Sequence, residues 1–436
     1  MSLDTPPRTA NTADATAATD PVPGRAADAP VTTGGAVVAP RAARVPGRDR
    51  YIDSLRVVAL ARVVAYHVVG GAWLPVLFPS MGVMFALGGA LMASSLDRAA
   101  PVHRHVLRRR LRRLLPPLWL YGALVVPVML LQGWSVDTAA YRGSPLTWST
   151  AFFWVVPLSD PPGSQWGEDW VLPLWYIRTY LWLVLLSPAL LWAFRRWPLR
   201  TASVPLGLLG AYAAGLWSNT GRVSEAVLSF ATFGACWVAG FAHHDGLLRR
   251  VPWRVVAPFA LLVAAGGIGY ALHHAAPGPG GWNIDDIPVA DGLYCLGFVL
   301  LLLRAYPDFS WMARHRWLDA FVGAVNSRAV TIYLWGNLAI WLAGHATGMT
   351  PFTATVSGLR GWGEVQLLLI TAVLLTAAVL AFGWAEDVAA GLRPRLLPGS
   401  APRRLTRRPG TAPGTVVVDV RGPAAVSGGR GPAGPR

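Results

Sequence analysis

Long apolar stretches recur through the middle of the chain and are separated by short polar connections. A window of about 19 residues, roughly the length of a helix that crosses a bilayer, predicts ten membrane-spanning helices. They cover residues 54–75, 77–97, 114–133, 171–194, 202–218, 225–243, 255–273, 287–305, 326–346 and 364–388. Since a single segment satisfies its backbone polar groups in lipid only as a helix, the pattern predicts an all-α integral membrane protein.

The two ends of the chain lack this pattern. Residues 1–48 are rich in Ala, Thr, Pro, Asp and Gly, and they contain no apolar run as long as a signal peptide requires. Residues 398–436 are rich in Pro, Gly and Arg. Segments of such composition bury too little apolar surface to fold. We therefore expect two disordered tails around a single membrane domain, residues 49–397.

The arginines are distributed unevenly among the polar connections. They are concentrated before the first predicted helix and in every second connection after it. The arginines of this group include Arg41, Arg44, Arg48, Arg50, Arg98, Arg104, Arg108, Arg109, Arg110, Arg112, Arg113, Arg195, Arg196, Arg200, Arg249, Arg250, Arg254, Arg314 and Arg316. The other connections contain Arg142, Arg222 and Arg360. The positive-inside rule therefore predicts that both termini are cytoplasmic, which requires an even number of spans.

The net charge of +16 would suit a nucleic-acid-binding protein, but the placement of the charges argues against one. The chain has 38 basic residues, none of them lysine, and they lie mainly between the apolar segments and in the tails. Only 14% of its residues are charged, whereas soluble domains have about 25%. We expect the lipid bilayer, and no nucleic acid, as the partner of these residues.

Both cysteines, Cys236 and Cys295, lie within apolar stretches. Their positions show neither a metal-ligand spacing nor a redox spacing. We therefore predict that they are small buried side chains of the core, and we expect no metal site.

The first predicted helix carries ionisable residues, which are costly in a membrane and are functional candidates by default. Arg56 and His67 are eleven residues apart. That is about three helical turns, so they share a face and lie about 16 Å apart along the axis. Arg62 lies between them, turned about 120° from Arg56. One interpretation of this arrangement is a reaction path across the membrane. The other, equally consistent with the sequence, is structural: Arg56 extends to the membrane surface and His67 forms a hydrogen bond to a neighbouring backbone or side chain.

The third predicted helix opens with a dense basic run that includes Arg109, Arg110 and Arg113. Arg110 and Arg113 are three residues apart and share a helical face. Guanidinium groups bind phosphate through two hydrogen bonds, so the run predicts an anion site at the inner membrane surface. Topology determination and attraction to anionic lipid explain the same run without a ligand.

The outward connection 134–170 combines acidic residues with tryptophans. These are Asp137, Asp160, Glu168 and Asp169 with Trp134, Trp148, Trp154, Trp166 and Trp170. Aromatic rings with nearby carboxylates suit sugars, which stack on rings and donate hydroxyl hydrogen bonds. An interfacial aromatic belt explains the tryptophans as well.

Four stretches resemble the motifs of acyltransferase family 3, the multi-pass membrane enzymes that acylate bacterial polysaccharides, lipid-linked sugars and some secondary metabolites. The stretches are Asp53–Arg56 with Tyr66–His67, then Gly82–Gly89, Arg109–Pro116 and Thr331–Trp335. Ala385–Asp387 falls where the family often has an acidic residue. The chain departs from the pattern at Gly88, where the family has serine, and at Gly336, where it has histidine. Arg178 and Tyr180 follow Trp175 where many members have an acidic residue.

The resemblance implies a bacterial inner-membrane enzyme that moves an acyl group, most often acetyl, from cytoplasmic acyl-CoA to an acceptor hydroxyl reached from outside. The acceptor class is a glycan, a lipid-linked sugar or a secondary metabolite. The catalytic residues implied are His67 and Arg56, with Arg110, Arg113 and Arg109 binding the CoA phosphates. His67 acts as general base or as a nucleophile that relays the acyl group, and His345 is the competing histidine. A non-catalytic family member and a secondary transporter are the alternative interpretations.

Overall fold

The computed structural model describes residues 49–136, 143–274, 283–348 and 362–396, and over these ranges the chain is helical without a β-strand. Its helices are α1 (Arg50–Val69), α2 (Trp73–Leu77), α3 (Ser80–Ala99), α4 (His103–Leu131), α5 (Trp148–Val155), α6 (Glu168–Val171), α7 (Leu174–Arg196), α8 (Pro198–Ala213), α9 (Arg222–His244), α10 (Leu247–Arg250), α11 (Trp253–His274), α12 (Pro288–Ala305), α13 (Arg316–Ser327), α14 (Ala329–Thr347), α15 (Trp362–Phe382) and α16 (Trp384–Ala389). Short 3-10 turns lie at Ile284–Asp286 and Ser310–Arg314. The two predicted tails, Asp137 and Arg142 lie outside the described residues.

Seven stretches of the described chain are long and apolar enough to cross a membrane: α3, α4, α6 with α7, α9, α11, α12 and α15. The class predicted from the sequence, an all-α membrane protein, is therefore confirmed. The other three predicted spans are also helical, as α1, α8 and α14. They are shorter or less apolar, since α8 has 16 residues and α1 carries Asp53, Arg56 and Arg62. The count of ten spans stays a prediction.

Local sequence sets the helix ends and shifts several predicted boundaries. Helix α1 begins after Asp49, whose side chain accepts a hydrogen bond from the amide of Ile52, and it ends at Val69 because Gly70 adopts a left-handed φ of 68°. The predicted ninth span is divided at Arg328, which leaves helical geometry with a φ of −121° between α13 and α14. The predicted tenth span ends at Phe382, and Gly383 separates it from α16.

Helices α3 and α9 cross at glycines, and this contact forms the centre of the bundle. A Cβ atom on Gly89 would lie 2.2 Å from the carbonyl oxygen of Trp237, and one on Gly240 would lie 2.1 Å from that of Ala86. Small residues let membrane helices approach this closely. Cys236 and Cys295 lie in the same core as free thiols, 0% and 1% exposed, as predicted.

Ion pairs join helix ends at each end of the bundle. Arg195 contacts Asp97 and Asp245, both at 2.8 Å, and so ties together the carboxyl ends of α3, α7 and α9. We call this the basic end. At the other end, Arg178 near the start of α7 contacts Glu225 at the start of α9 at 3.3 Å. These contacts group the helix ends as the alternation of arginines predicts; which end is cytoplasmic stays a prediction.

Candidate active site

Two cavities share the side chain of Tyr333 on α14. The first, of about 260 Å³, we call the basic cavity; its lining includes Arg56, Gly88, Arg110, Arg113, Tyr180, Tyr333 and Glu386. The second, of about 380 Å³, we call the histidine cavity; its lining includes Arg62, Tyr66, His67, Trp175, Asp285, Asp286, Asp291, Tyr333, Gly336 and Asn337. Because Tyr333 belongs to both walls, the two cavities are neighbours.

The basic cavity gathers guanidinium groups from α1 and α4. Arg110 is held against α3, since its Nη2 donates to the carbonyl of Leu91 at 3.0 Å and to the hydroxyl of Ser95 at 2.9 Å. Arg56 and Arg113 line the same cavity. Arg395, which pairs with Asp387, is a fourth arginine of this lining. Guanidinium groups around one cavity provide the bidentate donors that phosphate groups need.

Arg109 lies apart from this group. It lines an open depression of about 790 Å³ at the basic end with Arg108, Arg112 and Arg113. Arg113 belongs to both walls, so the depression adjoins the basic cavity. Of the predicted phosphate ligands, Arg110 and Arg113 therefore come together with Arg56, while Arg109 lies at the mouth.

Glu386 is the carboxylate that faces these arginines. Its Oε1 accepts hydrogen bonds from the amide of Thr331 at 2.7 Å and from the hydroxyl of Thr331 at 2.6 Å. Burial raises the pKa of Glu386, and the two hydrogen bonds from Thr331 oppose that rise. The carboxylate therefore fixes α16 to the start of α14 and closes the basic cavity.

His67 has one ring nitrogen committed to the helix backbone. Its Nδ1 lies 2.8 Å from the carbonyl oxygen of Val63, one turn earlier in α1. A carbonyl oxygen only accepts, so Nδ1 carries the proton and Nε2 keeps its lone pair. The backbone hydrogen bond expected of a structural histidine is therefore present. It leaves Nε2 available as a base or nucleophile.

His345, the competing histidine, lies near His67. His345 and His67 both line a further pocket of about 440 Å³, together with Asp169 and Asn337. The ring of His345 packs on Trp341 with centroids 3.7 Å apart, and its Nδ1 donates to the carbonyl of Trp341 at 2.9 Å. His345 is exposed and lies outside the lining of the histidine cavity.

The tryptophans of the outward connection have different surroundings. Trp166 and Trp170 pack against Trp341, with ring centroids 4.8 and 5.2 Å away, beside the pocket that His345 lines. Trp154 is buried and donates its Nε1 to the carbonyl of Pro162 at 3.1 Å. Trp148 is 96% exposed. Trp166, which is 39% exposed, thus suits a sugar-binding surface by position. Trp170 and Trp154 are buried and support the fold, and Trp148 suits a membrane interface.

The sequence alone does not reveal the charged wall of the histidine cavity. Arg62 is 8% exposed, and its Nη2 lies 3.3 Å from Oδ2 of Asp285. Its guanidinium also lies over the ring of Tyr66, whose hydroxyl accepts a hydrogen bond from Asn283 at 2.8 Å. Burial raises the pKa of Asp285, and the facing Arg62 opposes this rise. The contacts of Arg62 with Asp285 and of Tyr66 with Asn283 join positions more than 200 residues apart, beyond any local pattern.

The buried Arg178 forms a second network with two carboxylates that are partly exposed. In the sequence, Arg178 was notable only as a departure from the family pattern. It donates to Asp160 at 2.5 Å, to Glu225 at 3.3 Å and to the hydroxyl of Ser229 at 3.0 Å. Burial raises the pKa of Asp160 to about 6, and Arg178 opposes this rise. Because Ser229 lines the histidine cavity, the network supports one wall of that cavity.

The two glycine departures have different surroundings. A Cβ atom on Gly88 would lie 2.7 Å from the ring of Trp237, so the indole occupies the space of the missing side chain. A Cβ atom on Gly336 would meet nothing within 4 Å. Gly336 therefore leaves open volume in the histidine cavity, and Gly88 does not enlarge the basic cavity.

Comparison with known proteins identifies the class of protein to which this chain belongs. A family model described as an acyltransferase domain, that of acyltransferase family 3, matches residues 49–385. Searches of curated proteins and of solved structures found no match. Since the family model covers most of the chain, the chain belongs to acyltransferase family 3 and is a membrane acyltransferase.

Proposed function

We propose that the protein transfers an acyl group, most often acetyl, from acyl-CoA to a hydroxyl of a glycan, a lipid-linked sugar or a secondary metabolite. The observation that carries this proposal is the shared wall at Tyr333. A cavity whose lining includes four arginines there adjoins a cavity lined by a histidine whose Nε2 makes no hydrogen bond among the described residues. Phosphate recognition and proton transfer are the two capacities that acyl transfer from CoA to a hydroxyl requires.

The donor enters at the basic end, which we assign to the cytoplasm of a bacterial inner membrane crossed by ten helices. Arg109 meets the CoA phosphates at the mouth, and Arg110, Arg113 and Arg56 hold them further in. Arg56 and His67 are about 16 Å apart along α1 by helical rise. The extended pantetheine arm bridges this separation and brings the thioester past Tyr333 to the histidine cavity.

The acceptor enters the histidine cavity from the opposite end, and Nε2 of His67 takes the proton of its hydroxyl. The hydroxyl oxygen attacks the thioester carbonyl carbon, the new C–O bond forms, and the C–S bond breaks. CoA leaves as the thiolate and takes up a proton to become the thiol. If the acyl group passes first to His67, Nε2 is again the reacting atom.

The test measures purified protein in lipid nanodiscs with acetyl-CoA. We expect saturable CoA binding and release of free CoA thiol that increases when a hydroxyl acceptor is added. Unchanged CoA affinity after substitution of Arg110 and Arg113 contradicts the proposal. So does a rate of thiol release that no acceptor increases and that persists when His67 is replaced.

A further inference from the structure

The segment that follows α16, residues 390–395, borders both the basic cavity and the open depression beside it. Ala390, Leu392 and Arg395 line the basic cavity. Ala390 and Gly391 line the depression. Arg395 therefore adds a guanidinium to the basic cavity from a part of the chain that lies beyond the last long helix.

Three hydrogen bonds hold Arg395 in this position. Its backbone amide donates to Oδ2 of Asp387 at 3.1 Å, and its carbonyl accepts from Nη2 of Arg328 at 3.0 Å. Its own Nη2 donates to Oδ1 of Asp387 at 2.9 Å. Because the backbone and the side chain are both restrained, the guanidinium has a defined position in the cavity wall before any ligand binds, which lowers the entropic cost of binding.

The two residues that hold Arg395 form a deeply buried ion pair. The side chains of Arg328 and Asp387 are 1% and 3% exposed, and Nη2 of Arg328 lies 2.6 Å from Oδ2 of Asp387. Nη1 of Arg328 also donates to the carbonyl of Gly383 at 2.6 Å. A buried ion pair adds little stability, because desolvation offsets the attraction. Apolar packing would secure the end of a helix equally well, whereas this pair also fixes the position of a third charge, that of Arg395.

The charges of this wall favour an anion. Asp387 is shared by Arg328 and Arg395, so one carboxylate faces two guanidinium groups. Of these two arginines, Arg395 is the more accessible, at 18% exposed, and it lines the cavity. The whole lining includes four arginines and two carboxylates, those of Glu386 and Asp387. The excess positive charge suits a ligand that carries more than one negative charge.

We propose that Arg395 binds the diphosphate of the acyl-CoA donor and that Asp387 is the positioning residue that orients its guanidinium. In CoA the diphosphate stands between the pantetheine arm and the adenosine, which carries the separate 3′-phosphate. The enclosed basic cavity takes the diphosphate, and the open depression with Arg109 takes the 3′-phosphate. This inference rests on the proposed acyl transfer from acyl-CoA and identifies which phosphate each group of arginines binds.

The test compares CoA with dephospho-CoA, which lacks the 3′-phosphate, by calorimetry on the full-length protein in nanodiscs. We expect Arg395→Gln to weaken the binding of both ligands by the same factor, about tenfold or more, since both contain the diphosphate. Arg395→Lys should lose less, because lysine keeps the charge but not the two-pronged geometry. Arg109→Gln should weaken the binding of CoA and leave that of dephospho-CoA unchanged.

Arg393→Gln is the matched control, because Arg393 belongs to the same segment, is exposed, and lines neither the basic cavity nor the depression. It should leave both affinities unchanged. The backbone contacts of Arg395 remain when its side chain is replaced, so the segment should keep its place in the Arg395 variants. Unchanged affinities in Arg395→Gln overturn the inference, and so does a loss confined to CoA, which would place Arg395 at the 3′-phosphate.

The effect of Asp387→Asn separates positioning from simple charge. If Asp387 were only a negative charge on the wall, its removal would strengthen the binding of an anion. We expect weaker CoA binding instead, and no further loss when Asp387→Asn is added to Arg395→Gln. Unchanged or stronger binding in Asp387→Asn overturns the positioning role. If this variant does not fold, the two Arg395 variants still test the contact with the diphosphate. A parent protein that fails to bind CoA would instead overturn the proposed acyl transfer.

Discussion

Arg56 and His67 lie on one helix, α1, yet they line different cavities that meet at Tyr333. Eleven residues of helix separate them by about 16 Å, and in the proposed reaction this separation lies between the donor phosphates and the reacting atoms. Helix α1 therefore fixes the distance between the arginine of the basic cavity and the histidine of the histidine cavity. Substitutions in the two cavities are expected to have different effects.

Removing a guanidinium from the basic cavity should weaken donor binding. Arg110→Ala and Arg113→Ala each lose a charge-assisted contact to phosphate worth about 1.5–3 kcal/mol, or roughly ten- to a hundredfold in Kd for CoA. Arg109→Ala should cost less, because Arg109 lies at the open mouth. Calorimetry with CoA measures the effect, and Arg98→Ala is the control, since Arg98 is exposed and its Nη1 donates to Ser94. Unchanged CoA affinity together with altered membrane orientation would assign these arginines to topology alone.

Cysteine labelling tests the orientation and the number of spans. The native thiols of Cys236 and Cys295 are buried and should not react with a membrane-impermeant reagent. Exposed positions for single cysteines are Gln165 and Thr220 at the opposite end and Ser310 at the basic end. In intact cells we expect labelling at the first two and protection at Ser310→Cys. The reverse pattern would place the basic end outside and contradict the proposed entry of acyl-CoA.

The existence of the helices follows from sequence because a bilayer demands long apolar segments, and α9, α11 and α12 lie close to their predicted limits. Helix α4 instead begins at His103, well before the predicted residue 114. The ends follow from single residues, as Gly70 shows at the end of α1. The spacing of Arg110 and Arg113 predicted a shared helical face, and both residues line the basic cavity; that they bind phosphate stays a prediction. The pairs Arg62–Asp285 and Arg178–Glu225 were beyond prediction, because each joins distant positions whose partners emerge only when the helices pack.

Filling the open space at Gly336 should weaken acceptor binding and leave CoA binding unchanged. A Cβ atom there meets nothing within 4 Å, so Gly336→Ala should fold and work almost normally. Gly336→Leu places a larger side chain in the histidine cavity and should raise the acceptor KM about tenfold or more, equivalent to about 1.4 kcal/mol. CoA affinity should not change in either variant. Equal acceptor kinetics for the leucine and alanine variants would show that the acceptor does not use this space.

The network around Asp160 should give the folded protein a pH dependence. Burial raises the pKa of Asp160 from its ordinary value of 3.8 to about 6, so the folded state holds this proton more tightly than the unfolded state. The resulting stabilisation is present below pH 3.8 and is lost as the pH rises through 6. In thermal scans from pH 4 to pH 7, Tm of the parent should fall relative to that of Asp160→Asn, most steeply below about pH 6. Parallel curves for the two proteins would contradict this origin.

The central claim is that Nε2 of His67 handles the proton or the acyl group, while Nδ1 is held by Val63. The most direct measurement is the rate of acyl transfer by His67→Gln, with CoA affinity measured on the same preparation and His345→Ala as the matched control. Glutamine can keep a hydrogen bond but cannot take a proton near neutral pH. We predict a loss of about a hundredfold or more in kcat for His67→Gln, with unchanged CoA affinity and a far smaller loss for His345→Ala. An active His67→Gln protein would make His67 a structural residue and contradict the account.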